Sequence, residues 1–258
     1  MTTPDQHERA AAFKALHNPG DPLVLTNMWD AGSARAVAKA GAKALATGSA
    51  SVAMARGYQD GELIPLTTLL SVVSEITRVT DLPVTADFET GFAEDLGELA
   101  ENTAELIETG VVGINFEDQV ITIGALRRVD DQVRRIETVR AESKRQDLDL
   151  FINARTDVFL QEPDQDRHAS LVAEAKERLA AYKEAGASGF FVPGLSNGDL
   201  IAEICEGAAL PINVMAMGDE VPRQHLGSLG VARISAGPAP YRRAMARLEE
   251  EARQALGG

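Results

Sequence analysis

Short apolar runs alternate with longer segments whose apolar residues recur at helical spacing along most of the chain. The apolar runs are typical of buried strands, and glycine follows several of the helical segments, where helices commonly end. The pattern predicts eight strands, at residues 23–27, 42–47, 82–86, 112–116, 150–154, 189–192, 211–214 and 231–235. It predicts helices at residues 33–40, 67–79, 95–109, 130–144, 169–184, 199–205 and 241–255, and a short crossover at residues 222–228.

This regular alternation of strand and helix predicts an α/β fold with a parallel sheet. Eight strands can close a TIM-type (β/α)₈ barrel, and 258 residues is a typical length for one. The competing arrangement, an open doubly wound sheet, more often carries the sequence G-x-G-x-x-G in its first βα turn, and that sequence does not occur here. We therefore predict a single barrel domain over residues 1–258, with an extra C-terminal helix within residues 241–258.

Composition narrows the expected partners and location. The chain has 39 acidic and 25 basic residues and a formal charge of -14, which argues against binding to nucleic acid or to an anionic membrane. A single cysteine excludes an intrachain disulfide and suits a reducing cytosol. The polar N-terminus does not resemble a signal peptide, and no apolar run approaches the roughly 20 residues of a membrane span. We expect a cytoplasmic protein that acts on a small molecule.

Acidic side chains follow two neighbouring predicted strands. Asp87 ends the third strand with Glu89 two residues later, and Glu117 and Asp118 follow the fourth. Because parallel strands of a barrel finish at one mouth, these carboxylates should converge there, and residues i and i+2 should face the same side. Clustered carboxylates repel one another without a cation, and hard oxygen ligands suit Mg²⁺ or Mn²⁺. The alternative is that the first pair only caps the helix that starts near Asp95.

Three further features are candidates for a binding site. Arg155 follows the fifth strand, where its guanidinium could bind a carboxylate in a bidentate manner, although a structural ion pair with Asp157 or Glu117 is the alternative. Residues 47–51 follow the second strand and form either an anion-binding nest or a tight turn. Asp60 precedes a glycine, which on its own indicates only a turn. We assign the four histidines to surface or structural roles because none follows a predicted strand.

Four separate segments together resemble the isocitrate lyase / phosphoenolpyruvate mutase superfamily, and a phosphoenolpyruvate phosphonomutase-like member in particular. They are residues 47–60, Asp87-Phe88-Glu89-Thr90-Gly91, Glu117-Asp118-Gln119 and Asn153-Ala154-Arg155-Thr156-Asp157. The resemblance runs from about Phe13 to the end of the chain. It implies a (β/α)₈ barrel that binds Mg²⁺ (or Mn²⁺) and cleaves or forms C–C or P–C bonds next to the carbonyl of a 2-oxo acid.

The resemblance also implies a role for each matching residue. It implies catalytic roles for Asp60, Glu117 and Arg155, metal binding by Asp87, Glu89 and Glu117, and substrate binding by Gly48, Ser49, Ala50 and Arg155. Within this set, Asp87 matches the direct metal ligand, whereas Glu89 and Glu117 match acids that hold metal-bound waters. Arg155 matches the arginine that contacts the substrate carboxylate or the leaving portion.

The chain departs from the best-known members at two places. Isocitrate lyases carry a Lys-Lys-Cys-Gly-His loop after the fourth strand, but residues 119–128 contain neither cysteine nor histidine. Pro193 occupies the place of a histidine in the mutase pattern, and Glu89 replaces a more usual aspartate. Three hypotheses follow: a Mg²⁺-dependent C–C lyase or decarboxylase that forms an enolate, a P–C mutase or hydrolase, and a barrel that binds a 2-oxo acid with little catalysis. In the first, residues 120–129 would close over the site.

The last predicted helix has apolar residues on one face. In families that resemble this chain the terminal helix is exchanged between subunits, and dimers pair into tetramers. Two prolines within residues 235–240 could direct the helix away from its own barrel, whereas Gly237 would also allow a tight return. We therefore expect a homodimer or homotetramer, with a self-packed helix as the alternative.

Overall fold

The fold is taken from a computed structural model that describes residues 4–216 and 222–257. The strands are β1 (Leu23–Leu25), β2 (Asn27–Met28), β3 (Leu45–Thr47), β4 (Val84–Asp87), β5 (Gly113–Glu117), β6 (Gln119–Val120), β7 (Ala125–Leu126), β8 (Phe151–Arg155), β9 (Gly189–Phe191), β10 (Ile212–Met215) and β11 (Arg233–Ser235). The helices are α1 (Pro4–Ala15), α2 (Ala31–Lys39), α3 (Ser49–Ala55), α4 (Leu66–Thr77), α5 (Leu96–Glu108), α6 (Val129–Arg145), α7 (Val172–Glu184), α8 (Gly198–Cys205), α9 (Arg223–Ser228) and α10 (Ala239–Ala255), with a 3₁₀ helix at Gln165–Leu171. None of the helices within these described ranges is long and apolar enough to span a membrane.

The main sheet is a parallel barrel, as the sequence predicts. Its strand order is β1-β11-β10-β9-β8-β5-β4-β3-β2. The two end strands are consecutive in the chain, since only Thr26 separates β1 from β2, and they pair with β11 and β3. Together β1 and β2 occupy one position of the barrel, so the ring has the eight positions that were predicted. The single first strand predicted at residues 23–27 is wrong in detail, because the ladder is interrupted at Thr26.

Alternation along the strands places polar side chains inside the barrel. In β5, Ile114 and Phe116 belong to the hydrophobic core, whereas Asn115 and Glu117 face the opposite side. Asn115 is in register with Asp87 on one neighbouring strand and with Asn153 on the other. A polar layer therefore lies beneath the mouth of the barrel and forms the base of the site described below.

Helix α1, which the hydrophobic pattern did not predict, packs against the end of the barrel where the strands begin. Phe13 is fully buried, and its ring meets Phe151 edge-on with 5.4 Å between centroids. The Gln6 side chain donates to the carbonyl oxygens of Ile107 (3.0 Å) and Val111 (2.8 Å). The helix escaped prediction because half of its residues are polar, four of the others are alanines, and few of its residues are buried.

His17, just after α1, is buried in a neutral form, and this makes stability sensitive to acid. Its Nδ1 donates to the Phe13 carbonyl oxygen at 2.8 Å, and its ring stacks on Phe151 at 4.0 Å. Burial, with a smaller contribution from the charge of Arg233, lowers the His17 pKa to about 3. An unfolded histidine titrates near 6.5, so between pH 6.5 and 3 the unfolded chain binds the extra proton. This group should therefore lower stability as pH falls, by at most about 1.4 kcal/mol per pH unit.

We expect His17→Phe to show a shallower loss of melting temperature between pH 7.5 and 4.5 than the wild type. His225→Phe is the control, because His225 is exposed on α9, and it should follow the wild-type profile. Parallel profiles for all three proteins would show that the buried histidine does not control acid stability.

Helix α10 has no buried residue, although it is amphipathic. It begins two residues before the predicted start and lies near β2, where Tyr241 meets Trp29 edge-on at 5.1 Å between ring centroids. Farther along, the side chains of Met245 and Leu248 are 37% and 58% exposed. The apolar face is thus left largely uncovered within a single chain. The division into one domain of residues 1–258 stays a prediction.

Candidate active site

A cavity of about 200 Å³ opens at the end of the barrel where the strands finish. Six of the predicted site residues line it, namely Gly48, Ser49, Ala50, Asp60, Asp87 and Arg155. The other two, Glu89 and Glu117, are not part of this lining and are buried close to it. The structure therefore brings the predicted substrate-binding residues and the predicted metal ligand into one cavity, with the two glutamates behind it.

Asp87 presents one carboxylate oxygen that has no protein partner. Its backbone amide donates to Thr47 Oγ1 (2.8 Å), and its Oδ2 accepts a hydrogen bond from the backbone amide of Ser49 (3.0 Å). Its Oδ1 is buried and makes no hydrogen bond within the described part of the chain. Buried carboxylate oxygens normally have a donor or a cation beside them. This oxygen therefore fits a positively charged ligand held in the cavity.

Residues 47–51 form neither a simple turn nor a free nest, because α3 begins at Ser49. The Ser49 amide is already used by Asp87. The amides of Ala50 and Ser51 follow in the first turn, where an α-helix supplies no internal carbonyl for them. Both residues line the cavity. The segment can thus still donate to an anionic group, through different amides from the one that holds Asp87.

Hydrogen bonds of Glu62 and Glu89 connect the loop that follows α3 to the loop that follows β4. The Glu62 amide donates to Glu89 Oε2 (2.9 Å), and Glu62 Oε1 accepts from the amides of Thr90 (2.8 Å) and Phe92 (2.9 Å) and from the Thr90 hydroxyl (2.8 Å). Glu62 and Glu89 both have positive φ, at 57° and 47°, which is unfavourable for residues other than glycine. The reciprocal hydrogen bonds hold this strained backbone and fix Glu89 beside the cavity.

Arg155 is both part of the cavity and ion-paired, so the two sequence alternatives coexist. Its Nη1 lies 2.7 Å from Glu117 Oε2, and its Nε and Nη2 donate to the two carboxylate oxygens of Asp157 at 2.6 and 2.9 Å. Each Nη carries a second hydrogen that remains for a ligand. Burial alone would lower the Arg155 pKa, but Glu117 and Asp157 outweigh it and raise the pKa well above its usual range. The group is therefore a permanent cation.

The surroundings of three carboxyl groups around the cavity favour their neutral form. Burial raises the pKa of Glu89 to about 9, and the charges of Asp60 and Asp87 add to this. Burial also raises the pKa of Glu117 to about 8 despite the opposing effect of Arg155. Asp60 lies at the rim, and its pKa is raised by burial of the carboxyl group and by Asp87. A divalent cation among these groups would oppose such shifts by stabilising the ionised carboxylates.

The donor set suits a cation that retains water. Among residues 4–216 and 222–257 there is no group of three or more His, Cys, Asp or Glu side chains that could hold a metal ion. Mg²⁺ is commonly bound through one or two carboxylates and keeps several waters. One free oxygen on Asp87, with Glu89 and Glu117 behind it, fits this largely hydrated coordination better than coordination by protein ligands alone.

Asp118, which the sequence analysis grouped with the metal-binding acids, does not face the cavity. Its side chain is fully buried and accepts hydrogen bonds from Arg178 Nη1 (3.0 Å), the Tyr182 hydroxyl (2.7 Å) and the Asp157 amide (3.0 Å). Arg178 and Tyr182 belong to α7, so Asp118 connects that helix to the loop after β8. Consecutive residues of an extended chain point to opposite sides, and Asp118 is therefore directed away from Glu117.

Residues 120–129, the segment predicted to close over the site, include most of a short antiparallel hairpin. Strands β6 and β7 pair antiparallel, with Gln119 opposite Leu126. Ile123, in the connection between them, is 74% exposed, and Ile121 lies next to Gly61 in the loop that follows α3. The hairpin thus stands beside the loop that carries Asp60. Its closure over a substrate stays a prediction.

Sequence reasoning missed several residues that line the cavity. Asn115 and Arg242 contribute polar groups, and Leu160, Phe191 and Met215 form an apolar wall with Pro193, which the family resemblance had already singled out. Asn115 could have been found, because it stands two residues before Glu117 in a strand and must face the same side. Leu160, Phe191, Met215 and Arg242 carry no such signal, since only the fold brings these distant segments together.

The parallel barrel, with Asp60, Asp87 and Arg155 in a cavity at the strand ends, is typical of the α/β-barrel class of enzymes. A family model for phosphoenolpyruvate phosphomutase matches residues 13–256. The chain belongs to this family, within the phosphoenolpyruvate mutase / isocitrate lyase superfamily, as the sequence motifs predicted.

Individual relatives differ in the reaction with which they are associated. The chain is 31% identical to a probable 2-methylisocitrate lyase 2 of Corynebacterium glutamicum, over 97% of this chain and 80% of that protein. It is 28% identical to an oxaloacetate decarboxylase of Pseudomonas savastanoi pv. phaseolicola, over 89% of this chain and 78% of that protein. The crystal structure of a "putative phosphonomutase" from Burkholderia cenocepacia J2315 superposes with a TM-score of 0.93 at 45% identity, covering 98% of this chain and all of that one.

Proposed function

We propose that the protein is a Mg²⁺-dependent lyase or decarboxylase that cleaves a C–C bond next to the carbonyl of a small 2-oxo or 2-hydroxy acid. The observation that carries this proposal is Asp87 Oδ1, a buried carboxylate oxygen that has no partner in the described part of the chain and belongs to a residue lining the same cavity as the cationic Arg155. A cavity of about 200 Å³ is below the usual size for larger ligands and suits a small acid. The lyase and decarboxylase relatives support the same reaction class.

The residues in and beside the cavity would have three roles, namely metal binding, substrate binding and proton transfer. When bound, Mg²⁺ would supply a Lewis acid for the carbonyl and carboxylate oxygens of the substrate. Asp87 would hold it directly, with Glu89 and Glu117 orienting its waters. The remaining N–H groups of Arg155 and the amides of Ala50 and Ser51 would bind substrate oxygens. Asp60, whose pKa is raised, would exchange a proton with the reacting group.

A second candidate is P–C bond chemistry on a phosphonopyruvate-like acid, and the 45% identical Burkholderia cenocepacia protein favours it. The relatives named as a decarboxylase and a probable lyase favour C–C cleavage instead. We therefore give C–C cleavage precedence.

A substrate panel tests this proposal. Purified protein would be incubated with 2-oxo and 2-hydroxy mono- and diacids and with phosphonopyruvate, with Mg²⁺ or with EDTA, and the products identified by mass spectrometry. We expect Mg²⁺-dependent release of pyruvate, glyoxylate or a related 2-oxo acid from a diacid. Turnover of phosphonopyruvate alone, to pyruvate and phosphate or to its phosphate-ester isomer, would favour the second candidate. Binding without turnover of any compound would leave a 2-oxo-acid-binding barrel with little catalysis.

Thiol alkylation should spare the activity that this panel reveals. Cys205 ends α8, does not line the cavity, and has a thiol pKa raised to about 11 by burial. A thiol of such high pKa reacts slowly, and no step of the proposed reaction uses one. Turnover after iodoacetamide treatment should match that of Cys205→Ser. Rapid inactivation that substrate prevents would place a cysteine in the reaction and contradict the proposal.

We also propose that the protein forms a homodimer or homotetramer through α10. The exposed Met245 and Leu248 on an otherwise charged helix support this, because a lone chain leaves them in water. Light scattering at micromolar concentration should give a mass of two or four chains, and Leu248→Glu should shift it towards one. Ile123→Glu, which changes an exposed apolar residue far from α10 in sequence, should not. A monodisperse wild-type monomer would contradict the proposal, as would deletion of residues 241–258 without loss of solubility.

A further inference from the structure

Asn115 lies in the lining of the cavity with its amide orientation fixed from below. Its Oδ1 accepts two hydrogen bonds, from Arg233 Nη2 at 2.9 Å and from Asn153 Nδ2 at 2.9 Å. A guanidinium group has donors only, so the atom of Asn115 that faces Arg233 must be the amide oxygen. The amide nitrogen is consequently turned away from Arg233 and Asn153. Since Asn115 lines the cavity, this nitrogen is available to a ligand there.

Arg233 reaches Asn115 across the interior of the barrel. It lies on β11, on the opposite side of the ring of strands from β5. Its side chain is fully buried, and its Nε and Nη1 have no hydrogen-bond partner within the described residues. Burial lowers its pKa to about 9, so it remains a cation at neutral pH, attracted by Asp87. A buried cation with so few partners is costly for stability, which suggests that its contact with Asn115 serves the site.

The position of Asn115 relative to Asp87 indicates what its amide would contact. The two residues are in register on adjacent strands and face the same side. Asp87 Oδ1 has no hydrogen-bond partner, so the Asn115 amide is not used by that carboxylate. The amide N–H groups and the free carboxylate oxygen thus stand side by side in the cavity floor, one as a donor and the other as a cation ligand.

We infer that Asn115 is a substrate-binding residue whose Nδ2 donates a hydrogen bond to a carboxylate or developing enolate oxygen of the 2-oxo acid, and that Arg233 and Asn153 are positioning residues that fix its orientation. The inference rests on the proposed function, because it requires a 2-oxo acid in this cavity. It adds a donor on β5 to the amides of α3 and the guanidinium of Arg155. A fixed neutral donor stabilises developing negative charge without rearrangement during the reaction.

Asn115→Asp separates this role from a structural one. The aspartate keeps an oxygen for Arg233 and Asn153 but replaces the donor with an acceptor. The probe is oxalate, a planar dianion that resembles the enolate of a 2-oxo acid, titrated calorimetrically in saturating Mg²⁺. Oxalate affinity should fall at least about tenfold, because a charged hydrogen bond is lost and a repulsion replaces it. Mn²⁺ affinity and melting temperature should not fall.

Asn213→Asp is the matched control. Asn213 is a buried barrel-interior amide on β10 that bonds Ser235 and does not line the cavity. The Asn213→Asp substitution adds the same charge inside the barrel, and Asn213 is in register with Arg233. Its oxalate affinity should stay near the wild-type value, so that a loss confined to Asn115→Asp reflects the donor and not the added charge.

Arg233 provides the test of positioning. Arg233→Met should weaken oxalate binding, because the Asn115 amide is then free to rotate, whereas Arg233→Lys retains a donor and should recover most of the affinity. Wild-type affinity in Asn115→Asp would overturn the inference and leave the lyase proposal standing. Failure of the Mg²⁺-loaded wild type to bind oxalate would contradict the lyase proposal itself. If Arg233→Met does not fold, the comparison of the two aspartate variants decides.

Discussion

Replacement of Asp87 by alanine should abolish Mg²⁺ binding and reduce turnover by at least about 10³-fold, with the fold intact. The reason is that Asp87 supplies a buried carboxylate oxygen of the cavity that has no hydrogen-bond partner among the residues that the structure describes. Lewis-acid stabilisation by a bound metal contributes several kcal/mol to a transition state, and each 1.4 kcal/mol is about tenfold in rate. The loss of Asp87 also removes a repulsion from Glu89 and Glu117, so stability should not fall greatly.

The measurement combines Mn²⁺ binding by electron paramagnetic resonance, turnover of the substrate found in the panel, and thermal melting. Asp81→Ala is the matched control, because Asp81 is an exposed acid before the start of the same strand. It should retain metal binding and turnover. Unchanged turnover in Asp87→Ala, or full wild-type activity in EDTA, would disprove the metal mechanism.

The barrel and much of its cavity were predictable because local patterns determine them. Apolar runs marked the strands, and the alternation with amphipathic helices required a parallel sheet. The parallel sheet in turn placed Asp87 and Arg155 at one mouth, although they are 68 positions apart along the chain (155 − 87). Asp60, for which the residues alone indicated only a turn, was identified as a site residue through the family resemblance.

Other features depend on contacts that no local pattern reveals. Glu62 fixes the loop after β4 through three acceptor contacts, yet its sequence context is that of an ordinary turn. Half of the residues of helix α1 are polar, and its packing role is evident only from the contact between Phe13 and Phe151. Arg233 is likewise an isolated basic residue in the sequence, and only the closed ring of strands brings it to Asn115.

Asp118 points away from the cavity, as the alternation of side chains along an extended chain requires. The rule that placed Asp87 and Glu89 on one side also requires Asp118 to oppose Glu117, because the two are consecutive. The sequence could therefore have excluded Asp118 from the cavity. It could not have named its partners, since Arg178 and Tyr182 lie on a helix about 60 residues later. Two aspartates at neighbouring strand ends thus have opposite roles, and their substitutions should have opposite consequences.

Asp118→Ala should lower the free energy of unfolding by about 3–5 kcal/mol while leaving any folded protein able to bind Mn²⁺. The substitution leaves the buried Arg178 guanidinium and the Tyr182 hydroxyl without their shared acceptor. Removing one partner of a buried ion pair carries a penalty of about this size. Urea denaturation followed by circular dichroism measures the change. Glu174→Ala is the control, because Glu174 is the other ion-pair partner of Arg178, and its carboxylate is 42% exposed. It should cost less than about 1 kcal/mol. An Asp118→Ala variant as stable as Glu174→Ala would contradict the structural role of Asp118. A variant that folds but no longer binds Mn²⁺ would instead show that Asp118 belongs to the metal site.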